Sequence, residues 1–450
     1  MTRRFASLVA VLLACFAACV APPSAQAAAG DLLYTLQTRL SDGPVWERGV
    51  AGGVDSAGNY YAGGDAETSE MTFAGYLAAK VTPAAALDWF LPWVPSAGVV
   101  DGDASDVAVT PSGEMITVGS TEVVGGGSDV QLVSRDATGA VAWTATWSGP
   151  GQGADGASAV ARAADGSLYV VGSSAARDGD GDVITLKFGP TGELAWARRY
   201  NGRWDGEDGA SAVCIYKNSV YVGGMVTHGG QGTDVLLIKY DTAGVRKWVR
   251  RFDGSRHNYD YVVEVVANRS SVYVAGGVTT TKGPQDMLRR YRPWGAFAWM
   301  RVSGSGGSVD EERWSDVALT PGGDAVVTGA KWMGAQYDWA TAVYRPSGVL
   351  AWSRRVSSGG RHYDGGNAVA VDPAGKIYVG GSYFRGSTLQ DDGTVICYGP
   401  GGTKRWMTST GFPDFDGLSD ISLSSDRVYG TGSSYGPTYL DDFVVVEIQK

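Results

Sequence analysis

A glycine that closes a short β-type run recurs at Gly63, Gly119, Gly172, Gly224, Gly276, Gly329, Gly381 and Gly432. After the first step these glycines lie 51 to 53 residues apart. An aromatic keeps the same beat at Tyr34, Trp89, Trp143, Trp196, Trp248, Trp299, Trp352 and Trp406. One period holds four short β-branched or aromatic runs: Ser211–Tyr216, Val220–Gly224, Val235–Tyr240 and Arg246–Phe252. Each is bounded by Gly, Asp or Asn, as strands joined by tight turns require. A four-strand unit repeated at this length is the mark of a β-propeller, and eight copies predict eight four-stranded blades in an all-β chain. No segment keeps a 3.6-residue apolar period, which excludes a helical solenoid.

The composition fits. Glycine supplies 66 of 450 residues, about twice the usual ~7%. Runs such as Val235–Ile238 and Phe443–Val446 are apolar throughout, because a blade is covered on both faces by its neighbours. First strands such as Ala157–Val160 and Asn367–Ala370 carry small residues, suited to the crowded axis. In Asp136-Ala-Thr-Gly139, Gly189-Pro-Thr-Gly192, Asp241-Thr-Ala-Gly244 and Arg345-Pro-Ser-Gly348, a glycine stands four residues before Trp and ends a type I turn with a bulge. The same pattern at Gly30–Tyr34 lacks its preceding strand, which lies at the other chain end, Phe443–Gln449. Leu32–Leu40 should therefore complete the blade of residues 417–449 and close the ring, removing its open edges.

Residues 1–27 read as a secretory signal: Arg3 and Arg4, the apolar Leu8–Val20, and the small-x-small site Ala25-Gln26-Ala27. The expected division is a signal peptide, 1–27, and a propeller domain, 28–450, of a monomer that is secreted, extracellular or periplasmic. A lipobox role for Cys15 or Cys19 would anchor the chain to lipid instead, and a twin-arginine signal is hinted at by Thr2-Arg3-Arg4. No segment is long enough for a membrane span. Without Arg3 and Arg4, 35 basic side chains face 47 acidic ones, a net charge near −12. That balance argues against nucleic acid and anionic membrane as partners. Cys214 and Cys397 fall three repeats apart, too far for a disulfide, and read as buried small hydrophobes.

The units Asp-x-Ala-x-Ala-Val, Val-Tyr-Val-x-Gly, Asp-x-x-x-x-Lys-Tyr-Asp-x-x-Gly and Trp-x-Arg-x-Tyr resemble the bacterial β-propeller repeat proteins labelled SBBP. The segment Lys239–Trp248 is similar to the tryptophan docking motif of quinoprotein-like (PQQ-like) eight-bladed propellers. The resemblance spans residues 30–450 and implies the fold, not an activity. The quinoprotein enzymes carry adjacent cysteines beside their cofactor, and this chain has none, so no quinone cofactor is expected.

One acid precedes each first strand: Glu47, Asp103, Asp155, Asp208, Asp260, Glu312, Asp364 and Asp416. Strand parity puts all eight on one face, around the channel mouth. They could bind a cation or polar ligand there, or each could accept N–H groups of its own loop. At ~8 Å two such charges repel by about 2 kcal/mol, while a hydrogen bond to a charged group contributes about 1.5–3 kcal/mol, so local bonding can hold the ring without a metal. A second set of acids starts the third strands, and in one copy, Asp178-Gly-Asp-Gly-Asp182, Asp178, Asp180 and Asp182 alternate as in a calcium loop. Calcium is the one cofactor this suggests; a solvated acidic loop is the alternative.

The differences between blades carry the functional reading. His228, His257 and His362 are all the histidines of the chain. They fall on the same loop face as Trp46, Arg203, Trp204, Arg256, Tyr259, Arg313, Trp314, Arg361 and Tyr363. Arg and aromatic side chains beside carboxylates suit a protein or carbohydrate ligand; simple loop packing is the alternative. The histidines show no close ligand spacing, which argues against zinc. No Gly-x-Ser-x-Gly, Walker or HExxH motif occurs. The expectation is a non-catalytic binding propeller; a polysaccharide hydrolase or lyase and a purely structural surface module remain the alternatives.

Overall fold

The computed structural model describes residues 27–38, 45–68, 74–95, 99–123, 126–150, 153–175, 180–204, 206–229, 232–303, 313–359, 362–385, 390–411, 415–435 and 441–450. They form eight four-stranded antiparallel sheets, with no helix among them. Blades 1 to 7 are contiguous: residues 45–93, 99–147, 155–200, 209–252, 261–303, 313–356 and 365–409. Blade 8 takes three strands from 415–449 and its fourth from Leu32–Thr38. That N-terminal strand pairs antiparallel with Asp441–Gln449, Leu36 opposite Val445. The expected closure is present; residues 39–40 of the expected strand lie outside the described residues.

The continuous apolar runs resolve into two alternating faces. In blade 4, Leu236 and Ile238 pack toward blade 3 with Tyr169 and Val171. Val235 and Leu237 point the other way, against Val265 and Val274 of blade 5. Each such side chain, fully removed from water, contributes about 2 kcal/mol. The strands of this blade run longer toward the loop face than the apolar pattern implied, as Ser219–Thr227 and Thr233–Asp241. Their polar ends still pair, Thr227 opposite Thr233.

The marker glycine answers a bulge in the first strand. At Gly224 an added Cβ would lie 2.1 Å from the Gly209 carbonyl oxygen, where the register shifts between Ala210 and Ala212. In blade 1 this place belongs to Gly64, 1.8 Å from the Arg48 carbonyl oxygen, and not to Gly63 as the sequence period suggested. The repeated Trp docks one blade onto the next. Trp196 Nε1–H donates to the Thr242 carbonyl and Trp248 Nε1–H to that of Pro293, both at 3.3 Å. Gly244, at φ +78°, sits where a Cβ would meet the Trp196 ring at 2.9 Å. The arginine two places on, Arg198, covers that ring and donates to the Gly244 carbonyl. Arg250, Arg301 and Arg354 repeat the clamp. Cys397 is buried and Cys214 half-buried, both free.

Candidate functional site

The repeated acids are engaged by their own loops. Asp208 accepts the N–H of Gly202, six residues back, and that of Thr227 on the second strand. Asp260 does the same with Gly254 and Thr279, and Asp364 with Ser358 and Phe384. Asp155 accepts from Gly149, and Glu47 is fully buried. Burial first, then the charges of Asp253 and Asp234, pushes the Asp260 carboxyl up to about 6 despite its two donors. Asp103 is out of phase. A second bulge between Val99 and Asp101 shifts the strand, so Asp103 pairs opposite Ser120 and stays exposed. Glu312 lies outside the described residues, and Asp416 is seen only as strand backbone.

Two of the histidines meet, against the spacing argument. His228 follows the second strand of blade 4, and His257 lies in the connection from blade 4 to blade 5. Their rings stack with centroids 5.4 Å apart and planes 14° from parallel. Asp253 lies between them: its Oδ2 is 3.9 Å from His228 Nδ1 and in contact with His257 Nδ1. The same His228 nitrogen is nearer Asp234, with Nδ1 3.2 Å from Asp234 Oδ2. His257 holds φ +50°, a left-handed conformation uncommon outside glycine and asparagine. Ligand spacing along the chain missed this because the donors sit on two loops that only the ring brings together.

Tyr259, two residues beyond His257, is 68% exposed. It stands at the rim of a cleft of about 450 Å3 between blades 3, 4 and 5, with Tyr261, Ser158, Ser173, Ser211 and Thr233 also in its lining. At Gly209, in the same lining, an added Cβ would approach nothing nearer than Ser173 Cβ at 3.8 Å.

The other candidates scatter. Arg256 donates to the Thr281 carbonyl. Arg203 lies over the exposed Trp204 ring, and Trp46 is exposed at the start of blade 1. Trp314 is no surface ligand: it is 5% exposed and packs in the core between blades 5 and 6. It stands opposite Gly329, where the first strand turns inward. Arg313 is known only as strand backbone, and Arg361 lies outside the described residues. His362 stacks on Phe384, and Tyr363 leans on Tyr337 with centroids 5.1 Å apart. Of the calcium-like loop, Asp178 lies outside the described residues, Asp180 is half-buried, and Asp182 is paired with Arg199 at 2.9 Å.

Four acids of the first strands went unread. Just past the bulge, blades 2, 5, 6 and 8 carry Asp106, Glu264, Asp316 and Asp420, where the other blades carry Ala51, Ala159, Ala212 and Ala368. Aligning the repeats column by column exposes this position, which is either alanine or an acid in every blade. Asp106 accepts the N–H of Val107 and, across the gap, that of Val160 in blade 3, at 2.7 and 2.8 Å. Asp316 bridges to Val369 of blade 7 and Asp420 to Gly52 of blade 1. First strands of neighbouring blades share no ladder, and these carboxylates satisfy N–H groups freed at the bulges. Burial pushes Asp106 and Asp316 up to about 6 and Asp420 to about 7. Burial and the charges of Asp316 and Asp106 also raise Glu264.

No family model matches the chain, and no curated protein matches it in sequence. Among solved structures, the polysaccharide lyase Uly1 is similar at 10% identity and TM-score 0.48, over 77% of this chain and 89% of that one. The β-propeller domain of the Trilobed protease from Pyrococcus furiosus is similar at 10% identity and TM-score 0.43, over 78% and 93%. The periplasmic gluconolactonase PpgL of Pseudomonas aeruginosa is similar at 14% and TM-score 0.41, over 71% and 92%.

Proposed function

We infer that this protein is a secreted, non-catalytic propeller that binds a carbohydrate at the loop-face mouth of its channel. The observation that supports this reading is the cleft between blades 3, 4 and 5, which combines the rings of Tyr259 and Tyr261 with the hydroxyls of Ser158, Ser211 and Thr233. A sugar offers an apolar face for stacking on the tyrosine rings and hydroxyls for hydrogen bonds; Ser211 and Thr233 donate to the Val262 and Asp260 carbonyls and keep their oxygens as acceptors. Tyr259 is too exposed to serve the core. The acidic surface favours a neutral or cationic glycan over a polyanion. Secretion rests on the signal-like residues 1–27.

The test is a glycan array with untagged protein, followed by calorimetry on the hits. Tyr259→Ala should weaken binding at least tenfold, about 1.4 kcal/mol, and Gly209→Val should fill the cleft with the same effect. Neither should move the melting temperature appreciably. Array silence with capture of a protein in a parallel pull-down would replace the carbohydrate by a protein ligand; silence in both would leave a structural module.

The polysaccharide hydrolase or lyase reading draws on one observation. Carboxyls at about 6 to 7, as in Asp106, Asp316 and Asp420, suit a general acid at neutral pH. Their oxygens are bonded to backbone N–H groups in this structure, which favours the clamp role. Product release from any polysaccharide bound on the array would decide for the enzyme.

A further inference from the structure

We propose that His228, Asp253 and His257 form a binding site for a divalent transition metal of the zinc type, which ties the loop after the second strand of blade 4 to the connection into blade 5. The three residues are the one group of potential ligands that converges among the described residues, with donor atoms within 4.8 Å of one another. Two imidazoles and one carboxylate are a zinc-type donor set; calcium and magnesium prefer all-oxygen shells.

Three further features support a metal over a simple ion-pair cluster. The chain has only three histidines, and two of them, from separate loops, lie with near-parallel rings 5.4 Å apart beside one carboxylate. Asp253 Oδ1 and Asp234 Oδ1 are buried without a hydrogen-bond partner, a costly state for carboxylate oxygens unless a cation shares them. Asp234 Oδ2, at 3.2 Å from His228 Nδ1, accepts that nitrogen's proton in a hydrogen bond, the carboxylate contact that commonly orients a ligating histidine, and leaves Nε2 as the ligating atom. Tetrahedral donors at about 2.0–2.2 Å from zinc lie roughly 3.3–3.6 Å from one another, so a bound ion draws these side chains together by rotation from their present spacing of up to 4.8 Å. Three protein ligands leave one position open on the solvent side. Since Tyr259 is two residues from His257, a bound metal also fixes the rim of the cleft.

The experiment uses untagged protein stripped with a chelator and then dialysed. Zinc, cobalt and calcium are titrated by calorimetry, with melting temperature and the cobalt visible spectrum as second readouts. The expected result is one zinc per chain at micromolar affinity or better, a raised melting temperature, and cobalt absorption bands typical of nitrogen–oxygen coordination. His228→Ala and His257→Asn should each weaken zinc binding at least a hundredfold. Asparagine tolerates the left-handed backbone at 257, so that variant should keep the metal-free melting temperature. His362→Ala should bind zinc as the wild type does. Failure to bind zinc or cobalt at 100-fold excess over protein, calcium binding alone, or zinc binding that survives both histidine substitutions would overturn the site. The carbohydrate reading stands or falls separately, because the array can be run on the stripped protein.

Discussion

The connections into blades 5 and 7 share one backbone frame and differ in chemistry. In each, an acid ends the loop and accepts the N–H six residues back: Asp260 from Gly254, Asp364 from Ser358. Each acid also takes one N–H from the second strand of the blade it enters, Thr279 or Phe384. Each loop pairs through its tyrosine with the previous blade, Tyr259 with Thr233 and Tyr363 with Tyr337. Within that frame the histidine is displaced by one residue: His257 stands three before its acid, His362 two before. The displacement sends His257 to Asp253 and His228, whereas His362 lies on Phe384. Ser357 stands where the other loop has Asp253, and Thr279 where the other has Phe384. A repeat can keep its hydrogen bonds while one step in sequence exchanges a polar site for an aromatic stack.

The largest effect should come from the shared frame. Asp260→Ala and Asp364→Ala each remove a carboxylate holding two backbone N–H groups, at about 1.5 kcal/mol or more apiece. Both should lower unfolding free energy in urea by about 3 kcal/mol or more. A loss at one acid and not the other would break the equivalence of the loops.

The ring beneath both loops sets a pH background of the next size. Asp106, Asp316 and Asp420 are raised by burial to about 6, 6 and 7. A carboxyl raised in the folded state supports folding fully below about pH 4, and that support is lost as pH climbs through the raised values. The unfolding free energy in urea should therefore fall as pH rises from about 4 to about 7. Asp136 and Asp241, held low by hydrogen bonds and, for Asp241, by Lys247, act below that window. The same fall should appear in loop variants Tyr259→Ala and His362→Ala; a rise across the window would refute the assignment.

Binding should separate the two tyrosines. Tyr259→Ala should cost at least tenfold in glycan affinity, about 1.4 kcal/mol, and Tyr363→Ala, whose ring packs on Tyr337, should stay within about twofold, or roughly 0.4 kcal/mol. Equal losses would move the ligand off the cleft.

The smallest effect is His362→Ala. Removing its stack on Phe384 should lower stability by about 1 kcal/mol and leave metal binding unchanged. A changed zinc affinity would mean that the loops communicate across blade 6.

Much of the ring was legible because each blade is nearly contiguous in sequence. Period-2 strands and left-handed turn glycines are local requirements, so they recur wherever the backbone repeats. Thus the 52-residue beat yielded eight blades, and the orphan turn at Gly30–Tyr34 yielded the closing strand. The limits of that reading are also local. Gly63 and Gly64 are adjacent and fit the period equally, so only the pairing of Gly64 with Gly49 tells them apart; Asp103 falls out of phase because blade 2, alone among the described first strands, adds a bulge between Val99 and Asp101 without changing the apolar pattern. Trp314 looked like a loop aromatic because the preceding stretch is polar, yet it faces the gap between blades 5 and 6.

The sequence by itself determined the repeat, the strand order and the face on which the variable loops lie, since all three follow from neighbours along the chain. Only the tertiary structure decided that His228 meets His257 and Asp253, that Asp106 reaches the Val160 amide of the next blade, and that Tyr259 borders a cleft. These contacts join segments from different loops or blades. The direction each side chain takes there depends on ring geometry and on single-residue offsets, for which the chain carries no periodic signal.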